Sequence, residues 1–222
     1  VGPAVTGSLT AAVSGSVRQL RSTFAELRHF PDTMTFLLAY LFFNDGIQTV
    51  IVSASLYGKE ELGFGDSQLI VTILLVQFVA FLGALLFGRL ARTMGAKRAV
   101  LLSLGLWTLV VFAAFFLPSG QFGLWLVLGV GIGIVLGGSQ ALSRSLYSRL
   151  VPTGRESEYF SLYQAMERGT SWFGTLTFGL VHQLTGSYRL SILALVVFFA
   201  LGAVLLRRVD AERGSARARA AG

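Results

Sequence analysis

The chain alternates between long apolar runs and short polar segments. Six runs come close to or exceed the roughly 20 helical residues that cross the hydrocarbon core of a bilayer. They predict spans at about 33–57, 67–88, 99–117, 122–143, 158–181 and 190–206. Each run is apolar on most of its faces, whereas a soluble helix carries a single apolar stripe. The pattern therefore predicts an all-α polytopic membrane protein whose six transmembrane helices form one bundle.

Composition excludes several other classes of protein. Of the 222 residues, 54% are hydrophobic and only 13% are charged, against about 25% charged residues in soluble proteins. The mean hydropathy of +0.69 also excludes a disordered chain. With no cysteine and only two histidines, no disulfide, thiol nucleophile or multi-histidine metal site is possible, and we expect no cofactor.

Lysines and arginines follow the apolar runs in an alternating order. The connections before span one, between spans two and three, between spans four and five, and after span six are basic: Arg18, Arg21 and Arg28; Arg89, Arg92, Lys97 and Arg98; Arg144, Arg149 and Arg155; Arg207, Arg208, Arg213, Arg217 and Arg219. The other three connections hold only Lys59 and Arg189. The positive-inside rule then predicts that both termini are cytoplasmic, which requires an even number of spans. The net charge of +7 thus indicates a lipid bilayer as the partner rather than nucleic acid.

Three regions follow from this organisation. Residues 1–31 are predicted to be a cytoplasmic linker with a short amphipathic helix, because Val17, Leu20, Phe24 and Leu27 recur at helical spacing. This helix either lies on the membrane surface or is a soluble linker helix. Residues 32–208 form the bundle, and 209–222 a disordered cytoplasmic tail whose arginines contact anionic lipid. The chain begins with Val1 and shows no signal peptide, so we expect a fragment or a processed piece.

Polar residues inside the first span form one candidate site. Asn44, Asp45, Gln48 and Thr49 are spaced three and four residues apart, which places them on one helix face. Asp45 lies roughly 20 Å from the cytoplasmic end at helical rise. Ionisable groups at that depth mark substrate or proton sites. The alternative is a structural polar cluster that joins span one to a neighbouring helix.

A second polar stripe runs along the fifth span: Gln164, Glu167, Arg168, Ser171 and Thr175. Glu167 and Arg168 lie roughly 15 Å from the cytoplasmic end. Adjacent residues on a helix point about 100° apart, so each needs a partner on another helix. Asp45 is the plausible partner of Arg168, and Arg144 at the end of span four that of Glu167. The alternative is a static buried ion pair that orders the bundle.

Span four carries a glycine stripe at Gly129, Gly133 and Gly137. This spacing predicts a flat face for close helix packing in the membrane. A dinucleotide-binding loop is not predicted, because such a loop requires a strand–turn–helix context. Gln140 and Arg144 continue the same stripe and give it a polar end.

The loop between spans two and three carries a resemblance to a known superfamily. It resembles the signature loop of major facilitator transporters, Gly-x-Leu-Ala-Asp-Arg-x-Gly-Arg-Lys. The residues that match the pattern are Gly88, Leu90, Ala91, Gly95 and Lys97. Arg98 follows them as the last residue of the loop. Arg92 stands where the pattern has Asp, so the gating contact made by that Asp in the family is not carried over. The loop resembles the more degraded second copy in such proteins.

Three further segments are distinctive together. Residues 43–49, 137–145 and 167–172 resemble the fungal vacuolar amino-acid effluxer family linked to autophagy and its bacterial relatives. The resemblance covers about 18–208, the C-terminal six-helix half of a twelve-helix transporter. Arginine exceeds lysine by 16 to 2, which indicates a GC-rich bacterial genome and hence the cell (inner) membrane.

The resemblance implies secondary active transport of a small polar solute, with an amino acid as the candidate, by alternating access. It implies that Asn44, Asp45 and Gln48 face the cavity with Gln140 nearby. Asp45 would then receive an ammonium group, and Arg168 or Arg144 a carboxylate. The partner is the missing N-terminal half or a second copy of the chain. The rival interpretation is a non-transporting six-span scaffold or sensor. An intramembrane enzyme is not predicted, because no convincing nucleophile–base pair is present.

Overall fold

The computed structural model describes residues 30–152, 154–169 and 172–220. This part of the chain is helical and contains no strand. Its helices are α1 Pro31–Glu60, α2 Asp66–Met94, α3 Ala96–Phe115, α4 Phe122–Ser148, α5 Glu156–Gly169, α6 Phe173–Thr185, α7 Tyr188–Ala194, α8 Val196–Arg208 and α9 Ala211–Ala220. The predicted all-α class is confirmed, whereas the predicted surface helix within residues 1–31 lies almost entirely outside the described residues.

Five segments of the described chain are long and apolar enough to cross a membrane. They are α1, α2, α3, α4 and the continuous pair α7–α8, which spans Tyr188–Arg208. The predicted fifth span at 158–181 is divided instead between α5, which ends at Gly169, and α6, which begins at Phe173. Neither helix alone has the 18 residues of a candidate span. The structure thus supports five spanning segments by length and composition.

The outer surface of the bundle is suited to lipid. Phe78 and Phe81 on α2 are 77% and 67% exposed, and Leu82 is also exposed. Soluble monomers rarely expose contiguous apolar patches of this kind. In a bilayer, such a face contacts acyl chains or another apolar helix.

Hydrogen bonds between distant residues bring alternate connections to the same end of the bundle. At one end, Thr33 donates to the Leu150 carbonyl at 2.9 Å, and Lys97 donates to the Arg207 carbonyl at 2.9 Å. We call this the basic end: the start of α1, the α2–α3 turn, residues 149–152 and 154–155, and residues 207–220. Of the basic connections that the sequence analysis grouped together, those within the described residues are therefore neighbours in the structure.

At the opposite end, Arg189 joins two of the connections. Arg189 Nε donates to Glu61 Oε1 at 2.6 Å, and its Nη1 donates to the Phe115 carbonyl at 2.8 Å. The Gly120 N–H donates to the Leu62 carbonyl at 3.0 Å. The α1–α2, α3–α4 and α6–α7 connections thus meet at this end.

Close helix contacts form the interior, and glycines permit two of them. The glycine stripe of α4 lies against α2, where a Cβ at Gly133 would lie 2.9 Å from the Val76 carbonyl oxygen. On the other side of the bundle, a Cβ at Gly202 of α8 would lie 2.7 Å from the Cβ of Phe43. Small residues at such contacts let helix backbones approach and gain van der Waals packing in lipid.

The C-terminal tail is not disordered as predicted, because residues 211–220 form α9. Asp210 caps this helix by accepting hydrogen bonds from the Glu212 and Arg213 N–H groups at 3.2 and 3.0 Å. Asp32 in turn binds Arg213 through two hydrogen bonds of 2.9 and 2.7 Å. Gly214 and Ala218 are buried. The prediction was wrong because the Asp32 contacts that add to this local cap come from α1, far away in sequence.

Candidate functional site

Asp45 lies inside the bundle at the start of α6. Asp45 is only 1% exposed, and its Oδ2 accepts a hydrogen bond of 2.7 Å from the Gly174 N–H. Gly174 is in the first turn of α6, where backbone N–H groups have no partner within the helix. The carboxylate of α1 therefore caps another helix, and the helix dipole favours a negative charge at that position.

Small residues allow this approach. A Cβ at Gly174 would overlap Thr49 Oγ1. A Cβ at Gly46 would lie 3.0 Å from the Cβ of Phe198. The helices α6 and α8 can therefore pack on α1 at the level of Asp45 only because these positions lack side chains.

Two oxygens beside this cap are buried without a partner. Within the part of the chain that the structure describes, neither Asp45 Oδ1 nor Thr49 Oγ1 makes a hydrogen bond. Asp45 and Thr49 are one helical turn apart, so both oxygens face the same region. Buried polar atoms of this kind are uncommon and call for an explanation.

A polar pocket of about 440 Å³ lies nearby, between α1, α4, α5 and α6. It is lined by Gln48, Val52, Arg144, Gln164, Glu167, Arg168 and Thr175. Arg144 Nη2 lies 3.7 Å from Glu167 Oε2, which is the pairing that the sequence analysis suggested. The side chain of Glu167 is 21% exposed and that of Arg144 is 62% exposed. The pocket thus presents both signs of charge within a bundle of apolar helices.

The structure brings some of the expected residues together and separates others. Gln48, Arg144, Glu167 and Arg168 share the pocket. Asn44 is 3% exposed and, like Asp45, is not among the residues lining it. The expected pair between Asp45 and Arg168 is absent from the ion pairs of the described residues, because the carboxylate faces the α6 backbone.

Gln140 lies at a different site from the one expected. It lines an apolar pocket of about 310 Å³ between α1, α2 and α4. Thr72 and Trp125 belong to the same pocket, and Trp125 Nε1 donates to Thr72 Oγ1 at 3.0 Å. The spacing from Gly137 correctly places Gln140 beside the glycine stripe, but it does not specify which neighbour the amide faces.

The signature-like loop lies at the basic end. Gly88 and Arg92 are in the last turns of α2, and Gly95 joins α2 to α3 with φ of 86°. This left-handed conformation favours glycine. Lys97 binds the Arg207 carbonyl, and Arg98 borders a large pocket at this end.

An aromatic cluster beside the polar pocket could not be recognised in the sequence. The Tyr40 and Tyr163 rings stack with centroids 4.2 Å apart, and Tyr147 stacks on Tyr163 at 5.0 Å. Tyr147 also donates to the Tyr159 carbonyl at 2.8 Å. The cluster joins α1, α4 and α5, so it holds three of the four helices that form the pocket.

Outside the membrane helices, Glu156 and Arg213 have shifted pKa values. Hydrogen bonds from its own backbone and from the Gly154 N–H lower the pKa of Glu156. The hydrogen bond to Asp32 raises the pKa of Arg213. Among the described residues, no group of three or more His, Asp or Glu side chains could hold a metal ion.

Comparison with known proteins identifies the family. The family model described as "Vacuole effluxer Atg22 like" matches residues 2–219, which is almost the whole chain. The chain belongs to the Atg22-like vacuole effluxer family. The resemblance inferred from the loop and the three distinctive segments is thereby confirmed.

Relatives of this Atg22-like chain come from bacteria and fungi. It is 31% identical over 200 residues to an uncharacterised MFS-type transporter, YxiO, of Bacillus subtilis, with 90% of this chain and 46% of the relative covered. It is 32% identical over 203 residues to autophagy-related protein 22 of Cryptococcus neoformans, with 85% and 37% covered. For the Kluyveromyces lactis protein of that name, identity is 31% over 211 residues, with 89% and 43% covered. The chain therefore spans less than half the length of these relatives.

Proposed function

We propose that this protein is a secondary transporter of the major facilitator type, and that its solute is small and polar, with a neutral amino acid as the candidate. The observation that carries the proposal is the pocket that holds Arg144, Glu167 and Arg168 among membrane helices. Intramembrane charges that face a cavity mark solute and ion pathways. The description of the family as vacuole effluxers and the name of the Bacillus subtilis relative as an MFS-type transporter agree with it.

The pocket matches the chemistry of an amino acid. Glu167 supplies a carboxylate for the ammonium group, and Arg168 or Arg144 a guanidinium for the carboxylate, in charge-assisted hydrogen bonds. Glu167 lies eleven residues after Glu156, the first residue of α5, which is roughly 16 Å of helix. Solute bound here would be within the membrane rather than at its surface.

The chain supplies one wall of the transport pathway in this proposal. Its partner is an N-terminal six-helix half or a second copy, and the two bundles rock around the solute. The pair α5–α6 acts as the sixth crossing: α5 begins at the basic end, and α6 ends at the turn before Arg189. Both termini of the chain then lie at the basic end, in the cytoplasm of a bacterial cell, as the positive-inside rule requires.

Asp45 has a separate role: we assign it to coupling rather than to direct contact with the solute. Its Oδ2 holds α6 through Gly174, while Oδ1 is free to take a proton. A proton there would neutralise the carboxylate and weaken its hold on the N-terminus of α6. Because α6 contributes Thr175 to the pocket, protonation would change one wall of the solute site.

Solute flux tests the pocket. The chain, together with any preceding segment encoded in the same reading frame, is reconstituted in vesicles and assayed with radiolabelled neutral amino acids. We expect saturable flux that falls at least tenfold in Glu167→Gln and in Arg144→Gln. Lys59→Gln is the matched control, since Lys59 forms an exposed ion pair with Asp66 at the opposite end. Correctly inserted protein without flux would favour the scaffold or sensor interpretation.

The Asp45→Asn variant tests coupling. Asparagine keeps an oxygen that can accept the Gly174 hydrogen bond, so we expect the bundle to remain folded. The variant should lose its response to an imposed pH gradient, because an amide does not take up a proton in this range. An unchanged response would remove Asp45 from the mechanism while leaving the solute pocket intact.

A further inference from the structure

A large pocket at the basic end has seven cationic residues among the sixteen that line it. Its volume is about 1050 Å³, and it lies between the α2–α3 turn, the end of α4, the end of α8 and the helix α9. The cationic lining is Lys97, Arg98, Arg149, Arg207, Arg208 and Arg219, together with Arg213. Four separate parts of the chain contribute them, so the cluster is a product of the tertiary structure.

Acidic groups do not balance this charge. The acidic lining consists of Asp210 and Glu212. Asp210 is occupied by the N-terminus of α9, where it accepts two backbone hydrogen bonds. Arg213 is neutralised by Asp32 outside the lining, with a separation of 2.7 Å. With Arg213 set aside, six cationic groups therefore face two carboxylates, those of Asp210 and Glu212.

Apart from Arg213, the arginines of the pocket form no ion pair within the described part of the chain. Across the residues that the structure describes, no ion pair involves Arg98, Arg149, Arg207 or Arg208. Arg219 donates hydrogen bonds to Ser215, one turn earlier in α9. Their mutual repulsion favours an anion in the pocket.

The wall formed by α9 is held in place before any ligand binds. Asp32 accepts hydrogen bonds from Arg213 and from the Asp210 N–H at 3.0 Å. Gly214 is packed so closely that a Cβ would lie 2.6 Å from Leu150 Cδ2. The guanidinium groups are therefore brought together by the fold, which reduces the entropy lost when they bind one ligand.

We propose that this pocket binds a phosphate group. Guanidinium groups match phosphate oxygens in paired hydrogen bonds, and a phosphate can accept hydrogen bonds from several of them at once. The phosphate could belong to the headgroup of an anionic phospholipid, since the pocket lies at the ends of membrane helices. It could equally belong to a soluble phosphate. The shared chemistry is a phosphate oxyanion held by Arg98, Arg149 and Arg208.

The test compares two variants with the same loss of charge. In Arg149→Gln/Arg208→Gln, two residues of the pocket are changed. In Arg89→Gln/Arg92→Gln, two exposed arginines of the same end are changed, and neither lines the pocket. Binding of the purified full chain is measured at 0.15 M salt, where long-range charge effects are screened within about 8 Å. The probes are vesicles of phosphatidylglycerol in phosphatidylcholine, vesicles of phosphatidylcholine alone, and inorganic phosphate added to protein in neutral detergent.

We expect saturable binding to a phosphate probe that weakens at least tenfold in Arg149→Gln/Arg208→Gln and less than twofold in the control variant. Binding to phosphatidylglycerol vesicles without binding of inorganic phosphate identifies a lipid headgroup. Binding of inorganic phosphate with the same dependence on Arg149 and Arg208 identifies a soluble phosphate. Equal losses in the two variants, or no saturable binding of either probe, would overturn the proposal.

Discussion

Replacing Gly137 with alanine is expected to destabilise the contact between α2 and α4. A Cβ at this position would overlap the carbonyl oxygen of Ala80 and lie 2.7 Å from its carbonyl carbon. It would also lie 2.9 Å from the backbone nitrogen of Ala84. These atoms are backbone, so no side-chain rotation relieves the overlap and the two helices must separate.

The magnitude follows from two opposing terms. Overpacking of this kind costs about 1–3 kcal/mol, and the upper value applies where backbone must move. Alanine stabilises a helix by about 1 kcal/mol relative to glycine. The net expectation is a loss of about 2 kcal/mol, which corresponds to a change of roughly thirtyfold in the ratio of folded to unfolded protein.

The control is Gly131→Ala in the same helix. A Cβ at Gly131 would lie 3.5 Å from Val110 Cγ2, an ordinary van der Waals distance, so this variant should be as stable as the parent protein or slightly more stable. Unfolding of the full chain in detergent can be followed by tryptophan fluorescence. Trp125 is a suitable reporter, because it bonds to Thr72 across the α2–α4 contact. Equal stability of the two variants would refute the close packing of α4 on α2.

Three further predictions concern ion pairs and the last helix. Arg189→Lys should lower the free energy of unfolding by about 1–2 kcal/mol, because lysine cannot replace both guanidinium hydrogen bonds, to Glu61 and to the Phe115 carbonyl. An unchanged midpoint of thermal unfolding would contradict this. Asp210→Ala should lower the free energy of unfolding by about 1 kcal/mol through loss of the helix cap, and it should speed amide hydrogen exchange in α9. Unchanged exchange would show that the cap is dispensable. The double variant Arg144→Glu/Glu167→Arg should recover the stability, about 1 kcal/mol or less, that either single variant loses, whereas solute flux should stay impaired. A double variant no more stable than the singles would exclude a direct pair.

The arrangement of the chain into membrane helices was predictable because it depends on local properties. Hydropathy summed over about 20 residues identifies a span without reference to any neighbour. Five of the six predicted spans correspond to long apolar helices or to the continuous α7–α8 segment. The fifth carries Glu167 and Arg168 near its centre, and there the local signal does not indicate where α5 ends and α6 begins.

The composition of the candidate site was partly predictable, but its contacts were not. Helical spacing grouped Asp45 with Gln48, yet the bundle places Gln48 in the pocket and Asp45 against Gly174, which is 129 residues away. Residues four or fewer apart on a helix can still face different neighbours, because the rotation of the helix is set by packing. Spacing within one helix contains no information about that rotation.

The sequence by itself determined that this chain is a set of apolar helices with their basic connections on one side, and that a glycine stripe in α4 allows close packing. These features follow from residue type and periodicity along the chain. Only the tertiary structure decided that Asp45 caps α6, that Arg144 meets Glu167, and that α9 is ordered by Asp32. Each of those contacts joins residues that are close in space and distant in sequence, so its energy exists only after the helices have packed.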